Sequence, residues 1–227
     1  NNNMKIGVPK EVKNNEYRVG LTPDSVKALI DDSHQVFVEI DAGTEIGFTN
    51  DDYKNAGAVL LDSPEDLYKS SELIVKVKEP IQEEFQYLSS QHTVFAYLHL
   101  AGDPKTALEL TSTGVTGIAL ETVTAENGTM PLLSPMSAIA GQLSIVVGSY
   151  HLLKPNKGMG TLIGSFKELK PRVVTVIGAG VAGTEAIDKA IANKSHVKVI
   201  DLSEKRLAEL ESKFGNNNVE YIVSSEA

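Results

Sequence analysis

Three glycines, Gly178, Gly180 and Gly183, follow the β-branched run Val173 to Ile177 in the order glycine-x-glycine-x-x-glycine. Between a strand and a helix, the first permits a tight turn. The second lets backbone approach a pyrophosphate, and the third lets the helix pack on the strand. The helix that opens there offers unpaired N–H groups and the positive end of its dipole to phosphate oxygens. About twenty residues on, a second apolar run, Val197 to Ile200, ends in Asp201, where an acid accepts hydrogen bonds from a ribose diol and repels the extra phosphate of NADP. A lone glycine pattern marks any glycine-rich turn. Strand, glycines, helix, strand and acid in register predict dinucleotide binding, NAD rather than NADP.

A second set of polar residues is dispersed in sequence. Arg18 lies in the loop after the apolar run Lys5 to Val8, and Lys76 and Lys78 sit at the end of Leu73 to Val77. His99 directly follows Thr93 to Leu98, and Glu121 follows Val115 to Leu120. If those runs are parallel strands, all five residues fall at the carboxyl edge of one sheet, where ligands bind in open α/β folds. Two cations at such a rim suit a carboxylate, arginine as a bidentate fork and lysine as a point charge; each can equally be a solvated charge. His99 is either a proton-transfer group or a satisfied core histidine. Glu121 either caps or pairs with a cation. His34, His92, His151 and His196 read as structural or surface residues, and their scatter gives no metal-ligand spacing.

The elements that would position these groups follow a simple rhythm. Thr22-Pro23 starts a helix, with threonine as cap and proline at its first position. Val36 to Ile40 is the next strand. Thr49 to Asp52 fits a capping box, repeated at Ser63 to Asp66. Strands are expected at Val59 to Leu61 and Leu73 to Val77, a helix at Ile81 to Leu88, a strand at Thr93 to Leu98 and a helix from Asp103-Pro104. Strands alternating with helices imply right-handed crossovers and a largely parallel sheet. Ser134-Pro135 is expected to cap a long helix with an apolar stripe (Met136, Ile139, Ala140, Leu143, Val146, Val147, Tyr150), connecting two domains. A glycine- and lysine-rich loop, 154–164, leads to Val173–Ile177, which lacks a polar face and reads as a strand buried on both sides.

The 227 residues carry a net charge of −9, 41% apolar residues and no cysteine. Such a charge argues against a nucleic-acid surface, and the missing thiols exclude disulfides and thiolate catalysis. The N-terminus has no signal-peptide pattern and no apolar run is long enough to span a bilayer, so a cytoplasmic protein is expected, with no membrane partner. Asn1 to Asn3, ahead of Met4, are set aside from fold reasoning.

With these residues in hand, the chain resembles NAD-dependent alanine dehydrogenases. The matching stretches are Gly7-Val-Pro-Lys-Glu-Val-Lys-Asn-Asn-Glu-Tyr-Arg18-Val, Val75-Lys-Val-Lys78-Glu-Pro80, Tyr97-Leu-His99-Leu-Ala101, Ala119-Leu-Glu121-Thr122 and Pro131-Leu-Leu-Ser-Pro-Met-Ser137-Ala-Ile-Ala-Gly. The resemblance implies that Arg18 and Lys78 hold the substrate carboxylate and that His99 transfers protons. It places Ser137, Val181, Ala182, Asp201, Arg206 and Ser224 along the NAD site. It implies the reversible oxidative deamination of L-alanine to pyruvate and ammonium, in a cytoplasmic homohexamer. The rival readings are the NAD-binding subunit of a proton-translocating transhydrogenase, which shares the amino-terminal pattern and the fingerprint, and a non-catalytic nucleotide-binding or assembly module.

The expected fold is α/β in two domains, each a parallel sheet flanked by helices: residues 4–131 for substrate and catalysis, and 132–227 for NAD, joined by the connector helix at about 135–153. The second is a Rossmann domain only half present. About twenty-six residues follow Asp201, enough for a helix (Glu204 to Phe214) and one strand (Val219 to Val223), whereas a full dinucleotide domain has two βαβαβ halves. The chain is therefore expected to be a truncated portion of the enzyme and inactive alone.

Overall fold

A computed structural model describes residues 3–225; Asn1 and Asn2, set aside above, lie outside the described residues. The chain forms two compact units that divide between Val123 and Thr124.

The first unit alternates strands and helices: β1 (Lys5–Val8), α1 (Pro23–Asp31), β2 (Gln35–Glu39), α2 (Asn50–Asn55), β3 (Val59–Leu61), α3 (Pro64–Ser70), β4 (Leu73–Lys78), α4 (Gln82–Phe85), β5 (Thr93–Tyr97), α5 (Pro104–Ser112) and β6 (Thr116–Ala119). All six strands are parallel, in the order β3-β2-β1-β4-β5-β6. The order reverses between β1 and β4, so the loops leaving these two neighbours diverge and open a crevice between them. Apolar side chains fill both faces of the sheet: Val8, Val26, Val36 and Val38 are essentially inaccessible in one cluster, Leu67, Ile74, Val94 and Ala96 in another. Each valine or leucine so buried contributes about 1.5–3 kcal/mol.

Helix starts follow the capping chemistry. The side chains of Thr22, Thr49, Ser63 and Asp103 accept the N–H groups of Ser25, Asp52, Asp66 and Thr106, and Asp52 returns the bond to Thr49, completing the box. The helix expected over Ile81 to Leu88 is only the single turn α4. Its Glu84 folds back to accept Ile81 N–H at 3.0 Å and to meet buried partners of the first sheet, which fixes one turn and no more.

The second unit holds α6 (Ser134–His151), β7 (Val173–Ile177), α7 (Val181–Ala192), β8 (His196–Asp201), α8 (Glu204–Phe214) and β9 (Val219–Val223). Its three strands are parallel in the order β7-β8-β9. Two sequence expectations are corrected here. Ser134 does not cap α6: Leu133 is the cap residue, without a side-chain bond, and the Ser134 hydroxyl donates back to the Met130 carbonyl at 2.9 Å. β7 is not buried on both sides. Among the described residues it pairs with β8 alone, and Ile177 is 82% exposed. The apolar stripe of α6 is largely open, with Ile139, Leu143, Val146, Val147 and Tyr150 half-exposed. What α6 buries is Gly141 and Ile145, with Gly141 so close to α7 that a Cβ there would collide with the Ala182 carbonyl. Beside the free edge of β7, an open groove of about 600 Å³ runs between the strand and α6. No helix among the described residues is long and apolar enough to cross a membrane.

Candidate functional site

At the carboxyl edge of the first sheet, Arg18 follows β1 and Lys78 ends β4, the two neighbours at which the strand order reverses, and the charge of Lys78 reaches the Glu16 carboxylate that Arg18 holds. Arg18 is exposed on the loop after β1. Its Nε and Nη2 grip the Glu16 carboxylate at 2.8 and 2.7 Å, a bidentate pair that holds Glu16 below the ordinary carboxylate range and sets the direction of the guanidinium. Lys78 closes β4, half-buried, and stands opposite Tyr97 of β5 in register. Lys13 and Glu79 form an ion pair that ties the loop after β1 to the residue following Lys78.

Lys76 is not at this rim. It is 1% exposed, with Nζ 3.1 Å from Glu11 Oε2 and 2.8 Å from Glu84 Oε1. The Tyr68 hydroxyl donates to Glu84 at 2.9 Å. A buried ammonium requires such partners, and they come from separate loops and helices that sequence spacing does not connect. The available signal was the lysine itself, set inside the otherwise apolar run Leu73 to Val77.

His99 is exposed on the loop beyond β5 and adopts a left-handed backbone with φ of 49°. For a non-glycine residue this costs on the order of 1 kcal/mol and persists only where neighbours enforce it. Glu121 does so. Its two carboxylate oxygens accept His99 N–H at 2.8 Å and Leu98 N–H at 3.2 Å, so Glu121 acts as a cap rather than as a partner of a cation. The imidazole is thus presented to solvent, unlike that of His92, which is buried with Nδ1 accepting Ser89 N–H and Nε2 donating to the Tyr68 carbonyl.

In the second unit, β7 leads into the glycine turn. Gly178 has φ of 90°, a conformation that side chains disfavour. A Cβ on Gly178 or Gly180 would meet no protein atom within 4 Å, whereas one on Gly183 would collide with the Gly178 carbonyl. The space above the turn is open and the contact beneath it is closed, which fits a pyrophosphate laid against the first turn of α7, where Val181 and Ala182 lie. Asp201 ends β8. Its carboxylate accepts Ala179 N–H at 2.6 Å and Ser203 N–H at 2.8 Å, bonds that hold it below the ordinary aspartate value. Arg206 braces the turn: Nε donates to the Ala179 carbonyl at 2.9 Å, Nη2 to the Thr184 hydroxyl at 2.8 Å and Nη1 to Glu209 at 3.0 Å. Ser224 N–H donates to the Asp201 carbonyl at 2.8 Å. Ser137 lies half-buried on α6, one turn before Gly141.

Residues 7–140 match the family description "Alanine dehydrogenase/PNT, N-terminal domain" and residues 144–227 match "Alanine dehydrogenase/PNT, C-terminal domain". Alanine dehydrogenases of Staphylococcus haemolyticus and Bacillus subtilis are each 45% identical to the chain, over 93% and 94% of its length. The chain spans 56% of either relative, little more than half. A solved L-alanine dehydrogenase superposes with a TM-score of 0.88 at 43% identity, covering 98% of this chain and 61% of that one. A transhydrogenase from Sinorhizobium meliloti follows at 0.79 and 24% identity, covering 98% and 62%, a likeness of fold. With the two family descriptions matched in order along its length, the chain belongs to the alanine dehydrogenase/PNT family.

Proposed function

We propose that the chain is part of an NAD-dependent alanine dehydrogenase, with the substrate and proton-transfer groups in 4–131 and the ADP-binding half of the cofactor site in 132–227. The observation that supports this reading is the β1–β4 reversal, since Arg18 follows one of those two strands and Lys78 ends the other. Two cations of different shape at that place suit the carboxylate of a small amino or oxo acid. Arg18 supplies the planar fork and Lys78 the point charge, fixing the α-carbon by its carboxylate. His99 takes and returns protons as water adds to the oxidised substrate carbon and ammonia leaves; Glu121 holds its backbone in the presenting conformation. Bound NAD would supply the hydride acceptor.

In the second unit, Gly178, Gly180, Val181, Ala182 and Gly183 would receive the pyrophosphate, and Asp201 and Ser224 the adenosine ribose. Arg206 is a brace for the turn, with Ser137 at the α6 side. The charge on Asp201 persists into acid, because its pKa is held down by the Ala179 and Ser203 N–H bonds, so it favours a ribose diol and disfavours a 2′-phosphate. On this reading the completed enzyme is a cytoplasmic homo-oligomer, a hexamer as the family resemblance implies. Calorimetric titration of the purified chain with pyruvate tests the crevice. Binding that disappears in Arg18→Ala and in Lys78→Ala is expected; unchanged affinity in both would remove the crevice from the site.

A further inference from the structure

Lys76 and Lys78 differ by two positions, yet one is sealed in the core and the other stands at the crevice. In a regular strand, residues two apart share a face. β4 is not regular at this point. Val75 stands opposite Phe95 and Lys78 opposite Tyr97, so Lys76 and Val77 together face the single residue Ala96. One extra residue has entered β4, and such a bulge shifts every later side chain by one step of the pleat. The N–H left out of the regular ladder is that of Val77, and it donates to Glu11 Oε1 at 2.6 Å. The second oxygen of the same carboxylate holds Lys76 at 3.1 Å. Pairing of β1 with β4 has already stopped at Gly7 and Ile74, so Glu11 replaces the missing strand with a side chain.

We infer that Glu11 is a positioning residue for carboxylate binding: by capturing Val77 N–H and Lys76 at once, it fixes the bulge that turns Lys78 out of the core. The same residue anchors the loop that carries Arg18, so a single buried carboxylate registers both lips of the crevice. The chemistry requires glutamate. Both partners are donors and glutamate meets each with its own oxygen, whereas a glutamine has one oxygen for the two and turns an N–H₂ toward a donor. Burial drives the Glu11 carboxyl upward against the pull of Lys76, and Glu84, Glu39 and Tyr68 share the surroundings of that ammonium.

The inference rests on the proposed role of Lys78 in holding a substrate carboxylate, and two readouts separate the two ideas. The first is amide hydrogen exchange at Val77, which needs no ligand. Glu11→Gln should speed it by about tenfold or more, the effect of losing a hydrogen bond to a charged group. The second is pyruvate affinity, which should fall by a similar factor. The double variant Glu11→Gln with Lys76→Met removes the competing donor and frees the glutamine oxygen for Val77, so it should restore both. Should Glu11→Gln keep Val77 protected and pyruvate affinity unchanged, or the double variant fail to rescue, the positioning role is wrong. A wild-type chain that protects Val77 but does not bind pyruvate would overturn the carboxylate site while leaving the bulge assignment in force.

Discussion

At the end of β7 the polar groups on offer are backbone amides, framed by glycines and braced from below by Arg206 and Asp201. At the ends of β1 and β4 they are charged side chains: Arg18, gripped by Glu16, and Lys78, next to the Val77 N–H that Glu11 accepts. The first arrangement is made by the absence of side chains and tolerates no added methyl beneath the turn. The second is made by compensation, where carboxylates hold a cation or the backbone beside it. A site of the first kind fails when something is inserted, one of the second kind when a distant partner is removed.

The largest expected effect concerns the part that neither arrangement supplies. The described residues of the second unit form three strands, one half of a dinucleotide domain, and the groups that hold a nicotinamide lie in the other half. Positioning of reacting atoms is worth roughly 7–11 kcal/mol, so the 227-residue chain should show no NADH formation with L-alanine. Robust turnover by a preparation of verified mass would refute this.

In a chain completed to the length of its relatives, His99→Ala should lower kcat by about a hundred- to ten-thousandfold and leave the NAD dissociation constant unchanged. Near-normal turnover would return His99 to a merely structural role.

Cofactor choice should show a smaller factor. Arg206 is engaged with Ala179, Thr184 and Glu209, which commits its charge to the turn, so beside the Asp201 carboxylate NADP should bind about a hundredfold more weakly than NAD, as like charges set together cost several kcal/mol. Equal affinities by calorimetry would show that Arg206 leaves its brace.

Glycine replacements sharpen the contrast between insertion and removal. Gly183→Ala should destabilise the second unit by about 1–3 kcal/mol through overpacking against the Gly178 carbonyl, with nucleotide binding lost alongside. Gly180→Ala meets no protein atom, so it should leave the melting temperature unchanged while weakening ADP-ribose. If both variants lost stability equally, the turn would not be open above and closed below.

The smallest effect is acid sensitivity, and its sign differs between the units. Asp201 has a folded pKa below its ordinary 3.8, so the unfolded chain binds the proton first. Its stabilisation is complete above that value and is lost as pH falls through the folded pKa. Glu11 is raised above 4.5 by burial. Its folded form binds the proton first, so its ionisation costs stability as pH rises above 4.5. Melting curves from pH 6 to about 3 should lose part of their acid fall in Asp201→Asn and not in Glu11→Gln; the reverse pattern would exchange the two assignments.

Legibility in the sequence followed the same division. The glycine turn is local: spacing alone placed strand, turn, helix and acid, and each lies where that spacing put it. The crevice is not local. Strand-end placement named Arg18 and Lys78, but that β1 and β4 are neighbours depends on the crossovers of the whole unit. Lys76 could not be told from Lys78 without the one-residue slip opposite Ala96. The surroundings of the α6 stripe were hidden for a related reason. Periodicity shows that a face is apolar, whereas what lies against it is a property of other residues, and α7 lies instead against the small residue Gly141.

That contact joins α6 to α7 mechanically. Where two helices touch backbone to backbone, no rotamer change can absorb a displacement, and the pair moves as one body. α6 has 18 residues, a rod of roughly 27 Å, gripped at Gly141 by the carbonyl of Ala182 in the turn whose amides face the open space over the glycines. A small tilt at the far end of the rod is therefore delivered to those amides as a change in aim. The stiffness of the glycine turn is set by a helix that lies outside it.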